Sequence, residues 1–255
     1  MKVPVVLVHG LRTSRTMWRV QVEALRAYGC DVVAVDLPGH GRRRDERFTL
    51  DGAVAAVADG VERVGGRALV VGLSLGGYTA IAHAARHPGQ VAGLVAASCC
   101  TRPLVALVDG WALLARGIAR LPDAGAGLNQ QMVDRVLSPE AARDAAAGGF
   151  ALDVMDDALR EMRAATPVED LARARAPVWL VNGRYDHFRG EERRFLRACR
   201  EGRLVIVPGA THLVSLTAPV AFTRVLLDVV DDVSAREDGR PAVGVDPATV
   251  RPARG

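Results

Sequence analysis

The stretch Val70-Val71-Gly72-Leu73-Ser74-Leu75-Gly76-Gly77 decides how the rest of the chain is read. A β-branched apolar run enters Gly-x-Ser-x-Gly, and helical patterning follows from Tyr78 until His87-Pro88-Gly89 ends it. Strand, tight turn and helix in that order lift one serine hydroxyl above the edge of a sheet. Gly72 and Gly76 flank the serine where such a turn brings backbones too close for Cβ atoms. The five-residue pattern alone is weak, because many glycine-rich loops match it. Its specificity comes from the segments on either side.

Upstream lie two more short β-branched runs, Val3–Val8 and Asp31–Val35. Downstream come Val91–Ala97, Pro177–Val181 and Leu204–Val207. Continuous apolar runs of this kind fit strands buried on both faces of a parallel sheet. Helical patterns alternate with them at Trp18–Tyr28, Leu50–Val64, Tyr78–Arg86, Glu191–Arg200 and Pro219–Val230. The expected fold is therefore α/β, with a mostly parallel central sheet of about six strands flanked by helices. Residues 101–172 break the rhythm with helical patterns only, at Leu104–Leu121, Asn129–Leu137, Pro139–Ala147 and Leu152–Ala165. They read as an inserted helical lid. The core then comprises residues 1–100 and 173–232, and the polar, proline-bearing residues 233–255 read as a disordered tail.

Composition bounds the function. The chain has 255 residues, 49% of them hydrophobic, which suits one domain with a sizeable core. The net charge of +4 comes almost wholly from arginines interspersed with acids, a solvated surface rather than a nucleic-acid face. Cys30, Cys99, Cys100 and Cys199 have neither metal-ligand spacing nor the pattern of a disulfide framework. No cofactor or metal set is visible. With no signal peptide or membrane-length apolar run in view, a cytoplasmic setting is expected.

Chemistry-bearing residues recur just past the C-terminal ends of the buried runs: His9-Gly10, Asp36, Ser74, Asp186 and His212. Open parallel sheets bind ligands at that edge. Nucleophile, acid and histidine in the order Ser74, Asp186, His212 resemble the α/β-hydrolase superfamily, over nearly the whole chain to about residue 232. Gly183-Arg-Tyr-Asp186 and Gly209-Ala-Thr-His212 resemble its acid and histidine loops, and His9-Gly10 its oxyanion loop. Asp36-Leu-Pro-Gly-His-Gly41 resembles a loop common in its lid-bearing, esterase-like members. Thr211 stands where glycine is common, and the chain opens on what resembles the third of the usual eight strands. The resemblance implies a serine hydrolase. Ser74 is its nucleophile, His212 the base, Asp186 the orienting acid, and the backbone N–H groups of Leu11 and Leu75 its oxyanion hole. Asp36 is a rival acid, and His9 reads as structural.

The implied substrate is a small-molecule carboxylic ester or thioester. The same three residues also serve carbon–carbon bond hydrolysis, lactone opening or cyclisation, and the fold can act as a non-catalytic ligand receptor. Arg12, Arg15 and the run Arg42-Arg43-Arg44 fall in loops at the expected pocket mouth, which points to an anionic or carrier-linked substrate. Trp111 is a candidate pocket residue of the lid. A serine at position 74 disfavours the aspartate-nucleophile branches of the superfamily. Oligomeric state has no signature in the sequence.

Overall fold

The computed structural model describes residues 1–240. Strands β1 (Val5–Val8), β2 (Val32–Val35), β3 (Ala68–Leu73) and β4 (Val91–Ala97) alternate with helices α1 (Arg19–Ala27), α2 (Leu50–Glu62) and α3 (Leu75–Arg86). Helices α4 (Val105–Ala119), α5 (Ala126–Val136), α6 (Pro139–Ala146), α7 (Met155–Met162) and α8 (Pro167–Arg173) follow without a strand. The alternation resumes with β5 (Val178–Gly183), α9 (Glu192–Ala198), β6 (Gly202–Val207), α10 (Val214–Thr217) and α11 (Pro219–Glu237).

All six strands are parallel, in the order β2-β1-β3-β4-β5-β6. The period-2 alternation of strands sorts their side chains into two cores. Val6, Val8, Val70, Leu94, Val178 and Leu180 share one face with residues of α2, α3 and α9. Val5, Leu7, Leu69, Val71, Val95, Trp179 and Val181 share the other with Leu25 of α1 and Phe222, Leu226 and Val230 of α11. The inner strands β1, β3 and β4 are thus apolar throughout because both their faces are covered, whereas the edge strands β2 and β6 are only partly buried and β6 carries Arg203. Capping is written locally: Thr49 accepts the Gly52 N–H at the start of α2, and Ser138 accepts the Ala141 N–H ahead of Pro139 in α6.

Two expected boundaries move. Helix α8 packs on α3 and α9, and Leu171 and Ala174 enter the core, so the segment from 167 belongs with the sheet rather than with the insertion. Pro167 at its first turn restarts a helix that periodicity over seven residues is too short to reveal. The closing helix runs to Glu237, so residues 233–237 are helical and Val233 is buried against the sheet. The remainder of the expected tail, 241–255, lies outside the described residues.

The insertion is tied down at several points. Arg102 donates its backbone N–H to Glu191 at 2.7 Å. The segment after α6 clasps the loop that follows β1: the Ala151 N–H donates to the Arg12 carbonyl at 2.9 Å. Arg44 bridges from the loop after β2 to the Phe150 carbonyl and to Asp153.

Candidate active site

Strand order places the site. From β1 the chain goes outward to β2 and returns to β3 on the other flank of β1. The loops after β1 and β3 therefore part at the C-terminal edge and leave a crevice there. Ser74 ends β3 on the wall of that crevice, and the loop of Leu11 forms the opposite wall.

Ser74 has φ 55° and ψ −116°, a conformation that costs a residue with a Cβ about 1–3 kcal/mol. Its surroundings hold it there. The Ser74 N–H donates to the Ala97 carbonyl at 2.8 Å, and its own carbonyl accepts the Tyr78 N–H at 3.0 Å. A Cβ on Gly72 would lie 2.1 Å from the Gly76 carbonyl oxygen, and one on Gly76 would lie 2.3 Å from that of Val8. Both glycines are thus demanded by backbone approach.

His212, past the end of β6, places Nε2 3.0 Å from Ser74 Oγ and Nδ1 3.0 Å from Asp186 Oδ1. A carboxylate only accepts, so Nδ1 carries the proton and Nε2 faces the serine O–H as an acceptor. Asp186 also accepts the Phe188 N–H at 2.8 Å. Burial alone would raise the pKa of the Asp186 carboxyl. The hydrogen bond and charge of His212, with the Phe188 N–H and the Ser98 hydroxyl, outweigh burial and hold it below the ordinary value. The acid and histidine loops meet at Gly183, where a Cβ would lie 2.3 Å from the Thr211 carbonyl oxygen.

Neither the Leu11 nor the Leu75 N–H has a hydrogen-bond partner among the described residues. Leu75 is the first residue of α3, where unpaired N–H groups and the helix dipole favour negative charge. The Leu11 loop is held from beneath by two neutral histidines. The Leu37 N–H donates to His9 Nε2 at 3.0 Å, which leaves the His9 proton on Nδ1, 2.8 Å from the Gly10 carbonyl. The Arg12 N–H donates to His40 Nε2 at 3.2 Å, and His40 Nδ1 reaches the Pro38 carbonyl at 2.9 Å. Burial, aided by the neighbouring His40, pushes the His9 pKa down to about 3. Burial also lowers that of His40.

The structure thus brings Ser74, Asp186, His212, Leu11 and Leu75 together. The other candidates separate. Asp36 is not available to His212. It takes the Arg15 N–H at 2.8 Å, the Arg42 N–H at 3.1 Å and the Arg15 guanidinium. Arg15 is accordingly committed to an ion pair, contrary to its expected role toward substrate. Arg43 pairs with Glu46 and Arg44 with Asp153. Trp111 is 44% exposed on α4. Among the described residues the guanidiniums of Arg12 and Arg42 have no hydrogen-bond or ion-pair partner; Arg42 is exposed to solvent, and Arg12 is the one that is partly buried.

Two contributors were missed. His40, which the sequence shows only as part of the Asp36–Gly41 loop, takes the Arg12 N–H. Ser98 lies just past β4, the same strand-end position that marked the other candidates. It is buried with φ 55°, and its N–H is held by the Val181 carbonyl and Asn182 Oδ1. Ser98 Oγ and Asp186 Oδ2 are buried without another partner, facing each other short of full hydrogen-bond geometry. Among the described residues, Asp186, His187 and His212 have ligand atoms within 4.8 Å of one another. Two of the three are already engaged in the Ser74 relay, so nothing here is set aside for a metal.

A serine raised on a strained turn, a histidine–carboxylate relay and two unpaired N–H groups at the switch of a parallel sheet define a hydrolase class. The family model described as "Alpha/beta hydrolase family" matches residues 5–225, and the chain belongs to that family. Among curated relatives, a pimeloyl-[acyl-carrier protein] methyl ester esterase of Neisseria meningitidis is 28% identical, covering 97% of this chain and 84% of that protein. Among solved structures, an esterase from Thermogutta terrifontis superposes with a TM-score of 0.75 at 24% identity, over 91% of this chain and 90% of that one. NosK from Streptomyces actuosus gives 0.67 at 26% identity, over 89% and 97%. The protein is an enzyme of the hydrolase class. No described helix is long and apolar enough to cross a membrane.

Proposed function

We propose that the enzyme cleaves a carboxylic ester or thioester through an acyl-enzyme on Ser74. One observation carries the reading: the unbroken relay from Ser74 Oγ through His212 to Asp186, with both links at 3.0 Å. As His212 Nε2 accepts the serine proton, Oγ bonds to the ester carbonyl carbon. The carbonyl oxygen takes the negative charge and is met by the N–H groups of Leu11 and Leu75. Asp186 holds the His212 tautomer and stabilises the imidazolium. The intermediate collapses, His212 returns the proton to the departing alkoxide or thiolate, and an alcohol or thiol leaves. Water, giving a proton to His212, attacks the acyl-enzyme by the same route, and the acid is released with Ser74 restored.

Helices α4 to α7 act as a lid, a role supported by their attachment to the Arg12 loop and to Glu191 on either side of the relay. The named activity of the Neisseria relative supports an ester whose acyl group is borne on a carrier. A fluorophosphonate probe and a panel of alkyl and p-nitrophenyl esters test the reading. Wild-type protein is labelled and turns over esters, and Ser74→Ala loses labelling and at least about 1,000-fold of turnover. Turnover undiminished in Ser74→Ala would overturn it.

A further inference from the structure

Arg12 is the outlier among the arginines around the site. Of its neighbours in the same loops, Arg15 is paired with Asp36, Arg43 with Glu46 and Arg44 with Asp153, and Arg42, whose side chain has no partner among the described residues, is exposed to water. Arg12 is half-buried and has no counter-charge among the described residues. Burial lowers the pKa of its guanidinium, which nonetheless stays charged. A desolvated cation without a partner is a standing cost. Its backbone is also held away from the ordinary regions, at φ 68°. The bond from its N–H to His40 and the bond from Ala151 to its carbonyl fix it there. Fixed backbone, partial burial and an unused planar fork of donors together describe a preformed receptor for an anion.

Position decides which anion. Arg12 directly follows Leu11, the residue whose N–H faces the reacting carbonyl oxygen. Adjacent Cα atoms lie about 3.8 Å apart and the five bonds from Cα to the guanidinium carbon add roughly 6 Å, so the guanidinium reaches no farther than roughly 10 Å from the Leu11 Cα, whose N–H faces that carbonyl. We infer that Arg12 binds a carboxylate at the far end of the acyl group, so that the preferred substrates are half-esters or half-thioesters of dicarboxylic acids with about four to six carbons. The inference rests on the Ser74 reading and names its substrate class.

Monomethyl adipate and methyl hexanoate present the same six-carbon acyl length with and without the distal carboxylate. Wild type is expected to favour the adipate in kcat/KM. Arg12→Gln lowers kcat/KM for the adipate at least about 10-fold, chiefly through KM, and changes the hexanoate by less than about threefold. Arg12→Lys, which keeps the charge but not the fork, falls between. Equal losses on both esters would reduce Arg12 to a backbone prop of the oxyanion loop and overturn the inference, as would a wild-type preference for the hexanoate. Calorimetric binding of monomethyl adipate to Ser74→Ala, with and without Arg12→Gln, reads the carboxylate site without turnover. Binding that survives Arg12→Gln sinks this inference alone, whereas hydrolysis that survives Ser74→Ala sinks the reading beneath it.

Discussion

Acidification from pH 7 to pH 4.5 will remove about 2–3 kcal/mol of folding stability through His9 alone. The ring is wholly buried and both nitrogens are committed: Nε2 accepts from Leu37, and Nδ1–H donates to Gly10. A second proton would set an N–H against the Leu37 N–H in a site without solvent, beside His40. The fold therefore takes up this proton only near pH 3, against 6.5 for the free side chain. The unfolded chain binds a proton first, so unfolding is favoured progressively as pH falls from 6.5 toward 3, with no penalty above that window. Two pH units inside the window, at about 1.4 kcal/mol each, give the figure stated. The assay is urea unfolding of wild type and His9→Asn at both pH values. Asparagine retains a donor for the Gly10 carbonyl and cannot become charged. It forfeits the Leu37 acceptor, at about 1–3 kcal/mol at either pH. The diagnostic is the pH-dependent loss, which is smaller in His9→Asn by about 2–3 kcal/mol. His83, held down to about 4 chiefly by burial, titrates in the same direction in both proteins and cancels. An identical loss in the two proteins would refute the tautomer assignment.

Two further outcomes follow from the site. Asp186→Asn leaves the hydrogen-bond distance to His212 achievable but presents an amide that favours the wrong imidazole tautomer. It is expected to lower kcat by about 1,000- to 10,000-fold with KM little changed, and a loss under tenfold would count against Asp186 as the orienting acid. Gly76→Ala drives a Cβ into the Val8 carbonyl, which no rotamer relieves, whereas Gly89 has open space. Thermal melts should therefore show Gly76→Ala unfolded or strongly destabilised and Gly89→Ala within about 1 kcal/mol of wild type.

The elements and the hydrogen-bonded trio Ser74, His212 and Asp186 were legible in the sequence because both are local signals. Strand runs apolar at every position, such as Val91–Ala97, announce burial on two faces, and glycines 72 and 76 announce a turn without room for Cβ atoms. Ser74, Asp186 and His212 each stand within a few residues of the end of such a run. Parallel strands all end at one edge, so that position alone predicts their convergence. Helix α8 and the last turns of α11 escaped because a short helix after a proline, and a helix whose outer face turns polar, carry little periodicity.

Only the tertiary structure decided which groups meet. Strand β4 lies between β3 and β5, which puts Ser98 against Asp186 although 88 positions separate them in the numbering. Asp36 and Asp186 look alike in sequence, each an acid just after a strand. Asp36 ends the strand on one edge of the sheet, where Arg15 and the Arg42 N–H consume it, while Asp186 ends a strand beside the nucleophile's flank. The arginines divide in the same way. Sequence marks five of them as facing the pocket mouth with equal claim, and packing neutralises Arg15, Arg43 and Arg44, leaves Arg42 exposed to water, and holds Arg12 partly buried without a counter-ion among the described residues. The physical reason is range. Backbone propensity and hydrophobic period act over a few residues and are written in order along the chain, whereas charge pairing acts through space and is set only when the loops have closed on one another.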